Sequence, residues 1–171
     1  MHPHPYPHPR PYAHPARQPA PAALCPARAQ RPPLSPHPHR GLILSLTLPG
    51  DPRSAAVGRH AATAALPTYG LRAHAWPVTH AVTELIAVNA ALTPGRELYL
   101  SLRHRDNALR IVVWDQHPRH ADPDTRALCE ARRRTALWLL AAVVDDWGGE
   151  WGTSEARPPQ QGVKSWVLLP Q

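Results

Sequence analysis

The sequence predicts an α+β two-layer sandwich, a mixed and mainly antiparallel sheet with its helices on one face, preceded by a disordered tail. A segment of period-2 alternation opens residues 41–171, a strand closes them, and two strand-like runs are adjacent in mid-chain. Stretches with helical spacing lie between these strands, which is the pattern of two packed layers.

The tail is residues 1–40, which hold 13 of the 23 prolines and 6 of the 12 histidines. A run such as His-Pro-His-Pro-Tyr-Pro-His-Pro has few apolar side chains to bury and too few backbone donors for a helix or sheet ladder, so it cannot offset the entropy of folding. Disorder with polyproline II character follows. Its Arg10, Arg17, Arg28, Arg31 and Arg40, with no acidic residue, carry most of the formal charge of +7. Residues 41–171 keep 14 basic and 12 acidic side chains, so the basicity is no argument for direct nucleic-acid binding by the domain.

The first strand is Leu42 to Leu48, whose leucines at 42, 44, 46 and 48 alternate with Ile, Ser and Thr. Pro49-Gly50 ends it. Asp51-Pro52 supplies a capping carboxylate and a first-turn proline for an alanine-rich helix reaching Leu66, and Pro67 to Gly70 breaks the chain. A second helix is expected from about Trp76 to Leu92, because Val78, Val82, Leu85, Asn89 and Leu92 form one stripe; Thr93-Pro94-Gly95 stops it.

Glu97 to His104 alternates, Asp106-Asn107 supplies a turn and Leu109 to Asp115 is a second β-rich run, which together read as an antiparallel hairpin. Residues 116–130, with Pro118 and Pro123, read as a long loop, and Ala131 to Trp147 as a third helix. Gly148-Gly149 ends that helix. A short strand at Glu150 to Ser154, a turn at Arg157 to Gly162 and a last strand at Val163 to Leu169 complete the order.

Two cysteines, Cys25 in the tail and Cys129 in the expected loop, offer neither a structural disulfide nor a metal-ligand spacing. The longest apolar run, Ala136 to Val144, is too short to span a bilayer, and no apolar leader precedes it. The chain reads as cytoplasmic, with no membrane partner.

Against this frame the chemistry concentrates in Glu84 and Asn89 on the second helix, Asp115 at a strand end, the basic run Arg132-Arg133-Arg134-Thr135, and Gly162-Val163-Lys164-Ser165-Trp166 on the last strand. Glu84-Leu85-Ile86-Ala87-Val88-Asn89 with Leu109 to Asp115 resembles the GHKL superfamily of ATP-binding domains (Bergerat-type fold), nearest to the small anti-sigma-factor serine/threonine kinases of GC-rich bacteria. The resemblance covers about residues 42–169. Arginine outnumbering lysine 18 to 1 agrees with a GC-rich genome.

The resemblance implies ATP and Mg²⁺ as cofactors. Glu84 would orient or deprotonate the attacking group, Asn89 would hold Mg²⁺ to the phosphates, and Asp115 would accept a hydrogen bond from the adenine amino group. Ser165 would hold that Asp or its water. Arg134 and Thr135 fall where relatives carry lid glycines that cradle phosphate through bare amides. Side chains there obstruct such an approach, although Arg132, Arg133 and Arg134 offer guanidinium forks instead.

The match departs from the family in spacing. Relatives place Asn four residues after Glu, a position occupied here by Val88. Asn89 is five from Glu84, which turns it about 140° around the helix at about 100° per residue. Two readings stay open: a single-turn π-bulge that restores the shared face, or Asn89 as a satisfied polar residue on the apolar stripe.

Function divides accordingly. One reading is an ATP-binding anti-sigma-type regulator with weakened nucleotide affinity and a degraded serine/threonine kinase site. The other is a nucleotide-independent module that captures a regulatory protein partner, a sigma factor or an anti-anti-sigma protein. Whether it forms a homodimer stays open. His2, His4, His8 and His14 are a third candidate, as metal ligands, but regular proline spacing does not converge them.

Overall fold

The computed structural model describes residues 41–171; the expected disordered tail, with the candidate metal ligands His2, His4, His8 and His14, lies outside them. The protein is a two-layer α/β sandwich. Its strands are β1 (Ile43–Leu48), β2 (Leu98–Arg105), β3 (Ala108–Asp115), β4 (Glu150–Glu155) and β5 (Val163–Pro170); its helices are α1 (Ser54–Ala65), α2 (Ala75–Leu92), α3 (Pro123–Ala136) and α4 (Trp138–Asp146). The five strands form one antiparallel sheet in the order β1-β2-β3-β5-β4.

Local chemistry accounts for most of these boundaries. Asp106 and Asn107 take φ of 52° and 58°, the left-handed pair that a tight hairpin requires and that Asp and Asn tolerate. Gly70, with φ of 73°, closes the 3₁₀ turn Leu66–Tyr69 after α1. α1 can lie close on α2 because Gly58 has no side chain: a Cβ there would stand 2.3 Å from Ile86 Cδ1. α2 is α-helical from Ala75 to Leu92 without a π-bulge, so the first of the two readings of the Glu84–Asn89 spacing is excluded.

The third helix departs from expectation. Residues 116–130 are not all loop, since α3 begins at Pro123, and the helix expected over Ala131 to Trp147 is divided at Leu137 into α3 and α4. The reason is local. The Asp122 side chain accepts hydrogen bonds from Thr125 N (2.7 Å) and Thr125 Oγ1 (2.6 Å), ahead of proline at the first helical position. Asp51-Pro52 carries the same sequence signal, but Asp51 does not cap α1: its Oδ1 accepts from Arg53 N at 2.8 Å, and α1 starts at Ser54 with no side-chain cap.

Strand periodicity places the core. Leu109, Ile111, Val113 and Asp115 are the buried row of β3; Ser165, Val167 and Leu169 are that of β5, with Val113 opposite Ser165. These rows, with Leu98, Leu100 and Leu102 of β2, meet Val78, Val82, Leu85 and Ile86 of α2. Each fully buried aliphatic side chain contributes about 1.5–3 kcal/mol. Period 2 therefore carries Asp115 and Ser165, polar members of apolar rows, into the layer between sheet and helices.

Candidate functional site

Four polar side chains from four elements converge at that end of the core. α2 supplies Asn89, one turn beyond Leu85 on its buried stripe; β3 supplies Asp115; β5 supplies Ser165; α3 supplies Arg133, the one buried residue of that helix. As whole residues, all four are at most 3% exposed.

Arg133 is the hub. Its Nη1 donates to Asp115 Oδ2 at 2.7 Å and to Asn89 Oδ1, and lies 3.4 Å from Ser165 Oγ. Ser165 Oγ donates to Asn89 Oδ1 at 3.3 Å, and Asn89 Nδ2 donates to Leu85 O at 2.5 Å. The second Asp115 oxygen, Oδ1, accepts from the backbone N–H of His117 at 3.0 Å. Both carboxylate oxygens of Asp115 are thus engaged from within the chain. Arg133 Nη2 is buried without a hydrogen-bond partner among the described residues.

A buried guanidinium without a counter-ion would be prohibitively desolvated, so its pairing with Asp115 is what allows α3 to close over the sheet. Apart from Arg133, α3 is exposed or half-exposed throughout, and few apolar contacts fasten it to the core.

The residues expected to form a nucleotide site divide into two groups. Asn89, Asp115 and Ser165 come together. Glu84 does not join them: it is half-buried on another face of α2 and makes no hydrogen bond or ion pair among the described residues. Val88, four residues after Glu84, is half-buried against the apolar core. Arg134 and Thr135 are exposed, and Arg134 lies 3.6 Å from Glu130 and over the Trp151 ring at 5.8 Å. The guanidinium that enters the site is its neighbour, Arg133.

A cavity of about 240 Å³ adjoins this cluster, lined by His117, His120, Cys129, Arg133, Glu155 and Gly162 among others. It falls below the roughly 300–1,000 Å³ usual for small-molecule pockets. Burial, and then the Arg133 charge, push the His117 imidazole below its ordinary value of 6.5, so it is neutral at pH 7.

His117 and Cys129 were not legible as a pair while residues 116–130 read as loop. Cys129 is half-buried on α3, four residues before Arg133, and both face the cavity. The Asp122-Pro123 helix start was the signal that could have found them, because a helix from there sets Arg126, Cys129 and Arg133 on one stripe.

No family model and no curated protein matches the sequence. Thirteen chains of solved structures match it. One is a mycobacterial sensor histidine kinase, MprB, with 22% identity and a TM-score of 0.44 over 56% of this chain and 73% of that chain. Among the described residues, no helix is long and apolar enough to cross a membrane.

Proposed function

We propose that residues 41–171 form a GHKL-type regulatory domain whose ATP site is held shut by its own Arg133. The observation that carries this is the Arg133–Asp115 pair: the carboxylate that would select adenine is already bonded to a guanidinium, and Asn89, which would reach Mg-phosphate, accepts from the same nitrogen. ATP and Mg²⁺ then compete with an internal ligand. Apparent affinity is the intrinsic affinity multiplied by the fraction of molecules in which Arg133 has withdrawn.

With Arg133 in place the domain works as a nucleotide-independent interaction module, and its partner class is a regulatory protein such as a sigma factor or its antagonist. Efficient kinase turnover is not part of the proposal. Glu84 and Asn89 share no helix face, and a reacting group misplaced by an ångström can lose on the order of a hundredfold in rate.

Calorimetric titration of ATP, with and without Mg²⁺, tests the reading on the natural chain and on Arg133→Ala and Asp115→Asn. The expected order is weak binding in the natural chain, binding about tenfold tighter in Arg133→Ala, and none in Asp115→Asn, a tenfold gain being about 1.4 kcal/mol. Tight Mg-dependent binding that Arg133→Ala weakens would instead make Arg133 a nucleotide ligand and overturn the proposal.

A further inference from the structure

His117 Nε2 lies 3.1 Å from His120 Nε2 and 3.1 Å from Cys129 Sγ, and the three atoms all fall within 4.8 Å of one another. Hydrogen bonding alone serves this trio poorly. A neutral imidazole nitrogen carries either one proton or one lone pair, and here two neighbours compete for it. A cation removes the conflict, because all three atoms can then direct lone pairs at one ion. Tetrahedral zinc, with Zn–N of about 2.0–2.1 Å and Zn–S of about 2.3 Å, sets its ligand atoms roughly 3.3–3.6 Å apart. The two separations from His117, 3.1 Å each, are within about half an ångström of that, and the third pair lies within 4.8 Å.

We infer that His117, His120 and Cys129 form a site for a zinc-class divalent transition-metal ion, which ties α3 to the segment that follows β3. Two imidazoles and a thiolate select such an ion over Mg²⁺ or Ca²⁺, which prefer oxygen donors. On binding, the Cys129 thiol releases its proton to solvent and the thiolate takes the metal. The three ligands line the 240 Å³ cavity, from which a water or an anion would complete a four-coordinate shell.

The position of the site gives it a consequence. Asp115 Oδ1 holds the backbone N–H of His117, and Cys129 and Arg133 are one turn apart on α3. An ion bridging His117 to Cys129 therefore fixes the turn of helix that delivers Arg133 to Asp115. This inference stands whether or not nucleotide binds.

The test uses the full chain carrying Cys25→Ser, so that Cys129 is the one thiol, titrated with Co²⁺ and then Zn²⁺. The expected result is one Co²⁺ per chain with a thiolate-to-cobalt charge-transfer band in the near ultraviolet, displaced by Zn²⁺, lost in His120→Ala and Cys129→Ser, and unaffected by alanine at His2, His4, His8 and His14. Zinc should also raise the melting temperature of the Cys25→Ser chain and not that of its His120→Ala derivative. Absence of the band in the Cys25→Ser chain, or its loss with the tail histidines while His120→Ala keeps it, overturns the site; a band without a zinc-dependent melting shift overturns the tie to α3.

Discussion

Arg133 donates to Asp115 across 2.7 Å with the two side chains 4% and 0% exposed, an ion pair sealed from water between a helix and the end of a strand. Removing one partner of such a pair strands a buried charge. Asp115→Asn is therefore expected to lose about 3–5 kcal/mol of unfolding free energy in urea, and the double variant Asp115→Asn/Arg133→Met to recover much of it. A loss in the double variant equal to the sum of the losses in Asp115→Asn and Arg133→Met would mean that the two residues are not coupled.

Asn89 looks from the sequence like an interruption of an apolar stripe, and leucine would extend that stripe. Its oxygen, however, accepts from both Arg133 and Ser165. Asn89→Leu is expected to destabilise the fold by about 1–3 kcal/mol, since it leaves a buried donor short of its acceptor. Denaturation of this variant that matched the natural chain would return Asn89 to a packing role.

Arg134 and Thr135 are exposed, and Arg134 meets Glu130 only as a surface pair. Alanine at either position should change stability by less than about 0.5 kcal/mol and leave ATP titrations where they were. A change in nucleotide affinity at Arg134 would restore it to the site.

Gly162 touches the back of the cluster. Its φ is 110°, and a Cβ there would stand 2.0 Å from the Asp115 carbonyl oxygen. Gly162→Ala must shift the end of β3, at a cost of roughly 1–3 kcal/mol, and should loosen Arg133 along with it. Thermal unfolding compared with Gly95→Ala, where nothing crowds the added methyl, separates the contact from backbone conformation alone.

The start of α3 titrates. Hydrogen bonds from the Thr125 hydroxyl and backbone N–H hold the Asp122 carboxyl below its ordinary value of 3.8. A depressed carboxyl stabilises the fold above its unfolded value, and that stabilisation is lost as pH falls through the folded one. On acidification below about pH 4, amide exchange in α3 should quicken before that in α2, and Asp122→Ala should show quick exchange in α3 already at neutral pH.

The folding pattern was largely legible in the residues. All five strands were expected from the sequence, and in β3 the even spacing of Leu109, Ile111, Val113 and Asp115 determined that the carboxylate would be buried, because a strand sends every second side chain to the same layer. The α2 stripe likewise determined that Asn89 faces the sheet. The start of α3 was also written locally, in Asp122-Pro123.

What packing alone decided is which side chain meets Asp115. Arg132, Arg133 and Arg134 are chemically alike and adjacent, and periodicity chooses among them only once the helix start and its docking angle are set; the fold buries Arg133 and leaves its neighbours in water. His117, His120 and Cys129 meet for the same reason. Sequence period determines the direction in which each side chain leaves its own element, whereas convergence depends on how separate elements lie against one another, and that follows from burial of the whole core.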